Sequence, residues 1–359
     1  MHMKQIKVVP SWGFSDSEGN QLNPQLFELL RELHDRKKLT DAAKALGISY
    51  RHGWNLIQRW TEFFGTPLVE MQKGRGAQLT NLGEKLLWAE ERVIARLGPQ
   101  MESLASELNL EIHQALRSET PVINLYASHG YAVALLPTIV NQLQLNIQYM
   151  PSLEGIAAVE RGDCQVAGFH LPTGLSGSDI YRRFKDLLSN PELRVIRFIT
   201  RQQGLMVERG NPKGISGLKD LRREEIRFVN RQAGSGTSAL LDELLQREHI
   251  DSADIKGFNT REFTHSAIAA YVASGMADTG LGVAPPAHQF SLDFIPLANE
   301  HYLLICLSET LSNPVMQRFI EDIRSERFTE AIKTLAGYRC DHSGEVISVA
   351  ELFAEIERP

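Results

Sequence analysis

The sequence predicts an α/β protein in two unlike parts, an all-α head followed by a two-lobed α/β body. Three observations lead there. The chain has 359 residues, too many for one typical domain and enough for two or three with separate cores. Apolar residues recur at helical spacing as far as Leu116, whereas beyond Pro121 short strand-like runs alternate with helix-like ones. Charge is uneven as well: residues 36–76 carry eight Lys or Arg against Asp41, Glu62 and Glu70, although the whole chain has a net charge of −6. A basic patch on an acidic protein points to a polyanionic partner for that patch alone.

The elements follow in order. IKVVPSWGFSDSEGNQL (6–22) has the composition of a short hairpin. Pro24 opens a helix in which Leu26, Leu29, Leu30 and Leu33 form one apolar stripe. Thr40 reads as the cap of a short second helix ending at Gly47, and Ser49 as the cap of a third from Tyr50 to about Phe64. PLVEM, the tip QKGRGAQ and the return to Leu79 make a two-stranded wing. Thr80 then starts a long helix to about Leu116, expected to break at Gly98-Pro99. The chain thus divides into a head (1–79), a linker helix (80–118) and a body (119–359). In the body, VINLYA, NIQYM, QVAGFHL, RVIRFI and IRFVN alternate with helical runs, which argues for parallel strands. The lobes are expected at about 121–198 with 297–350, and at 199–296. PVMQRFIEDIRSERFTEAIKTL and VAELFAEI close the chain as helices.

No run of about 18 apolar residues occurs, and the longest candidate, YAVALLPTIV, is broken by Pro137. MHMKQIKVV lacks the apolar core of a secretory signal, so a cytoplasmic location without membrane contact is expected. Cys164, Cys306 and Cys340 are far apart, without CxxC or metal-finger spacing, and read as buried free thiols with no metal site.

In the head, Gly53, Ile57, Trp60 and Phe64 make a buried stripe on the third helix, and the opposite face carries Tyr50, Arg51, His52, Asn55, Gln58, Arg59 and Glu62. Arg51, Asn55 and Arg59 present guanidinium and amide groups suited to base edges; Tyr50 and His52 sit at the helix start, where phosphate is met. Gln58 lies on the same face. Lys73 and Arg75 place two cations on the wing tip, within reach of phosphate or minor groove. LTDAAKALGISYRHGWNLIQRW, followed by QLTNLGEKLL, resembles the DNA-binding domain of ModE-type, molybdate-responsive bacterial repressors and, more distantly, of LysR-type regulators. The resemblance covers roughly residues 20–117. It implies a homodimer, with a tetramer left open, joined largely through the long helix and bound to a palindromic double-stranded operator. Leu82, Leu86, Leu87 and Ile94 are apolar at partner-helix spacing, although a helix covering its own domain has the same pattern.

In the body, FVNRQAGSGTSALLDEL raises the question of a phosphate loop. Four strand-to-helix turns gather hydroxyls and amides: Ser128-His129, Ser152, Arg231 with Ser235-Gly236-Thr237, and Thr264-His265-Ser266. Arg231 adds charge, and His129 or His265 a donor once protonated. Each hydroxyl taken alone is as well explained as a helix cap. SLEGIAAVERGDCQVAGFHLPTG, RQQGLMVERGNP, THSAIAAYVASGMADTGLGV and LDFIPLANEHYLLI, over about residues 121–350, resemble type II periplasmic-binding-protein-like effector domains related to molybdate and tungstate binders. That implies a small anionic effector and no cofactor. Molybdate or tungstate leads, and a small organic or other inorganic anion comes next. Two departures qualify it: Ser238 stands where family members often have Arg, and Glu154 in a pocket turn would repel a dianion.

No GxxxxGK[ST], GxSxG or HExxH is present, which argues against an enzyme. A transport component is disfavoured by the basic head. The expectation is a regulator whose operator affinity follows an anion.

Overall fold

The computed structural model describes residues 13–15, 17–19, 21, 23–72, 76–116 and 120–357. The expected hairpin at 6–22 falls largely outside them, leaving an antiparallel bridge between Ser15 and Gln21. Contacts divide the chain into two units, 9–98 and 99–359 together with 1–8.

The head consists of α1 (Gln25–Arg36), α2 (Leu39–Ala45), α3 (Tyr50–Phe64), the wing strands β1 (Val69–Gln72) and β2 (Gly76–Leu79), and the first part of α4 (Asn81–Ala115). The leucine stripe of α1 packs with Leu39, Ala42, Leu56, Ile57 and Trp60. Phe14, Phe27 and Phe64 surround the Trp60 ring, with centroids 5.3–5.8 Å away. Ser49 caps α3 by accepting the His52 N–H, and Gly47 takes the left-handed turn before it (φ 66°). Thr40 is not a cap: α2 begins at Leu39 after Lys38, which makes no side-chain cap bond. Nor does Gly98-Pro99 interrupt α4, which runs on through Pro99 to Ala115. The apolar residues expected to face a partner turn inward instead, since Leu82 and Leu86 join the head's own core and Leu87 is buried.

The body contains β3 (Val122–Ala127), α5 (Tyr131–Ile139), β4 (Gln144–Tyr149), α6 (Ser152–Arg161), β5 (Val166–Pro172), α7 (Asp179–Leu187) and β6 (Leu193–Val207). Then come β7 (Phe228–Arg231), α8 (Gly236–Arg247), β8 (Arg261–Glu262), α9 (His265–Ala273), β9 (Thr279–Val283), α10 (Ala284–Gln289) and β10 (Asp293–Leu307). The chain closes with α11 (Pro314–Arg324), α12 (Glu326–Lys333), β11 (Tyr338–Arg339), β12 (Val346–Ser348) and α13 (Val349–Ile356). The last long helical stretch of the sequence is two helices, because Ser325 leaves the helix and caps α12 through the Phe328 N–H.

The strands form one sheet in the order β4-β3-β5-β10-β6-β9-β7-β8, with β11 and β12 also on β6. β3, β4 and β5 are parallel, as are β7, β8 and β9. The expectation of a parallel sheet fails at its centre, where β6 and β10 run antiparallel over 15 residues each. Each long strand serves both lobes. β10 pairs with β5 through Glu300–Ile305, and β6 pairs with β9 through Gln203–Val207. The crossing lies near Arg201–Gln203 and Ala298–Glu300, beside a register shift at Pro296/Ala298. A strand running from one core into the next reads as two strands in sequence, because each half alternates against a different core. One lobe packs Leu125, Phe198, Phe319 and Phe328 on one face of the sheet and Ile156, Phe169 and Phe353 on the other. The second lobe packs Leu205, Phe228, Leu241 and Leu281. Cys164 and Cys306 are buried thiols and Cys340 is half-buried.

Candidate functional site

On the head, α3 presents Tyr50, 47% exposed, with Arg51, His52, Asn55 and Arg59 also exposed and Gln58 half-buried. Packing of Gly53, Leu56, Ile57 and Trp60 forces this polar set outward. His52 is tied down, its Nε2 lying 3.2 Å from Gln25 Oε1. Lys73 and Arg75 fall outside the described residues.

In the body, all four turns singled out in the sequence sit at helix starts: α5, α6, α8 and α9 begin at Tyr131, Ser152, Gly236 and His265. The first N–H groups of a helix have no partner inside it, so each start offers donors to an anion. Ser128 and Ser152 bring their hydroxyl oxygens within 3.4 Å of each other. Ser235 and Thr264 act as caps, accepting the N–H groups of Ser238 and Ala267. Ser266 and Tyr131 meet at 2.7 Å, a contact between α9 and α5 and hence between the lobes. Ser238, buried in α8, contributes no charge, and Glu154 is exposed in the first turn of α6.

The residues that complete the pocket come from the crossing strands. Arg201, 2% exposed, lies 2.5 Å through Nε from Glu300 Oε1, itself 1% exposed. The Gln203 amide donates to the same Glu300 oxygen at 2.9 Å and to Thr237 Oγ1 at 3.2 Å, joining the strands to the start of α8. Buried His170 on β5 packs against Tyr302 with the rings tilted at 48° and centroids 3.9 Å apart, and the Tyr302 hydroxyl donates to the Ser128 carbonyl at 2.8 Å. Glycine is required only where backbone meets side chain closely: at Gly282 a Cβ would stand 3.2 Å from His265 Nδ1 and 2.6 Å from Met206 Cε.

Charge in this space is unbalanced. Burial opposes the charge of Arg201, but Glu300 and Tyr338 together outweigh it and hold its pKa above the ordinary value. Arg231 fares worse: burial and then Arg201 push it down to about 9 against a smaller pull from Glu300. Its Nε donates to Gln232 Oε1 at 3.1 Å, which brings no neutralising charge. His129 is lowered to about 4 by burial, Arg231 and Arg201. His170 and His265 lie well below the ordinary histidine value for the same reasons. The expectation that His129 or His265 is a protonated donor is therefore corrected: at neutral pH the two arginines keep these rings uncharged. The Nδ1 atoms of His170 and His265 are buried without a hydrogen-bond partner. Two guanidinium groups, one carboxylate, three neutral imidazoles and four helix starts thus gather excess positive charge and hydrogen-bond donors in one region, chemistry that suits an anion.

Sequence reasoning found Arg231, His129 and His265 because they stand beside glycine or at helix starts. It missed Arg201, Gln203, Glu300, His170 and Tyr302, which lie within strands. The one legible signal was TRQQG between two apolar runs, a polar interruption where a strand has both faces buried.

Residues 135–324 match the family model of the PBP superfamily domain, and residues 24–84 that of the bacterial regulatory helix-turn-helix proteins of the lysR family. The uncharacterized protein YvgK of Bacillus subtilis is 35% identical over 200 residues, which are 56% of this chain and 64% of that protein, so the chain spans just under two thirds of that relative. The molybdenum-pterin-binding protein MopB of Rhodobacter capsulatus is 25% identical over 182 residues, 44% of this chain and 67% of MopB. Among solved structures, HypT of Salmonella typhimurium, a hypochlorite-specific LysR-type transcriptional regulator, matches with 15% identity and a TM-score of 0.45 over 84% of this chain and 97% of that one. The PBP match takes in more than half of the chain. The chain therefore belongs to the PBP superfamily, and a segment matching the lysR-family helix-turn-helix stands ahead of that domain.

Proposed function

We propose that the body binds a small oxyanion, molybdate or tungstate first, and that occupancy changes the affinity of the head for its operator. The observation that carries this reading is Arg231, a half-buried guanidinium beside a buried second arginine and three neutral histidines, with Glu300 as the carboxylate that offsets them. Burying such a group is unfavourable unless a counter-charge arrives, and helix starts with hydroxyls suit an acceptor-only oxyanion. The likeness to MopB, whose name records molybdenum-pterin binding, favours molybdenum among oxyanions. A small organic anion is the second reading, favoured by the aromatic wall of Tyr302.

The exposed face of α3 reads the operator, with Arg51, Asn55 and Arg59 toward bases and Tyr50 toward the backbone. Homodimerisation is supported by Leu97, Leu104, Leu108 and Ile112, exposed along α4 at spacings of seven, four and four. The chain acts as a regulator in the cytoplasm and has no catalytic role.

Calorimetry on the full chain with molybdate, tungstate, sulfate and small carboxylates tests the pocket. Heat with one oxyanion, abolished by Arg231→Ala, is expected. Silence with all of them, or equal heat in wild type and variant, would overturn the reading.

A further inference from the structure

The C-terminal half of α4 is fastened to β4 by hydrogen bonds at Ser103 and Ser106 and by one between the side chains of Glu102 and Tyr149. Ser103 and Ser106 accept the N–H groups of Tyr149 and Ile147 at 3.0 and 2.7 Å, satisfying the outer edge of the sheet. The serine bonds involve no titratable group. Beside them, Glu102 approaches His129, with Oε2 and Nε2 3.8 Å apart. At that distance a neutral imidazole makes no hydrogen bond.

His129 belongs to the pocket as well, directly before Gly130, the N-cap of α5. The charged and titratable groups facing it are Arg201 from β6, Arg231 from β7, His265 from α9, Glu102 from α4 and, edge-on, Tyr149 from β4, with centroids 4.9 Å apart. The arginines oppose a proton on His129 and Glu102 favours one. An anion beside the arginines cancels their repulsion and leaves Glu102 to decide.

We propose that His129 is the relay between pocket and linker helix: a bound oxyanion draws a proton onto the imidazole, and the imidazolium then pairs with Glu102 and tightens α4 against β4. This inference rests on the oxyanion reading of the pocket. The ring accepts the proton from solvent, and no covalent bond changes. Glu102 is 52% exposed and His129 25%, so the pair adds a modest, ligand-dependent clamp to the serine bonds and the Glu102–Tyr149 bond already present. α4 continues unbroken from these residues back to Asn81, so the clamped segment belongs to the helix that follows the wing.

The test uses the full chain with tungstate as probe. In wild type, tungstate should slow amide exchange across residues 100–112 by about two- to fivefold, and calorimetry in buffers of different ionisation enthalpy should show proton uptake. Glu102→Gln, at an exposed position outside the pocket, should bind tungstate within about twofold of wild type, with the slowing lost and proton uptake reduced. Equal slowing in Glu102→Gln, or tungstate binding in wild type with no response of α4, would overturn the relay while leaving the pocket intact. Absence of any tungstate heat in wild type would overturn the oxyanion reading and the relay with it.

Discussion

Replacing Arg231 with Met should make the chain more stable and its pocket blind. In the fold, burial and then Arg201 lower the Arg231 guanidinium from its ordinary value to about 9. At neutral pH the group is charged in folded and unfolded chains alike, so the whole difference counts against folding. At about 1.4 kcal/mol per decade this sets an upper bound near 5 kcal/mol, which solvent and local relaxation reduce to roughly 1–3 kcal/mol. The penalty is complete below about pH 9 and fades as the pH rises from there toward the ordinary arginine value, an interval in which the unfolded chain alone still holds the proton. Met preserves a long apolar stem and avoids a large cavity. The lost bond to Gln232 takes back about 1 kcal/mol. A net gain of up to about 2 kcal/mol follows, a shift of a few degrees in Tm. Differential scanning calorimetry with and without tungstate checks both halves of the expectation: wild type rises with the anion, whereas Arg231→Met starts higher and does not move. A variant less stable than wild type, or one that tungstate stabilises equally, would refute the charge argument.

Four further outcomes are expected. Because folding lowers the pKa of His129, His170 and His265, the ligand-free protein should lose up to a few kcal/mol as pH falls from about 6.5 toward 4, as urea titrations along that range measure, and a bound oxyanion should shrink the loss. Arg51→Ala should weaken operator binding by about 1–3 kcal/mol at fixed salt and relax discrimination at one base position, read by competition with altered operators. Leu104→Lys with Leu108→Lys should shift sedimentation toward the monomer while the Tm stays within about a degree, since both side chains are exposed on α4. Gly76→Ala should destabilise the head by roughly 2 kcal/mol or more, measured by chemical denaturation, because Gly76 has φ 94° and its Cβ would stand 2.0 Å from the Lys37 carbonyl.

How legible each part was depended on whether a residue's role is local. The cap at Ser49, the left-handed Gly47 and the inward stripe of α3 depend on neighbours three or four positions away, so spacing alone disclosed them. The helix starts at Tyr131, Ser152, Gly236 and His265 were readable for the same reason. Pro99 was misread because a proline penalises a helix locally, whereas α4 is held along its length by packing on the head and by serine bonds to β4. Leu82 and Leu86 were ambiguous because an apolar stripe does not say which surface will cover it.

By itself, then, the sequence determined a basic helical head joined to an α/β body, together with Arg231 and the donors at four helix starts, all matters of composition and short-range period. Only the tertiary structure decided the chemistry of the pocket. Arg201 and Glu300 are 99 positions apart, and they meet because β6 and β10 run antiparallel through both lobes. Burial and the two arginines then set the protonation of the histidines, and both are properties of the assembled pocket that no window of sequence contains.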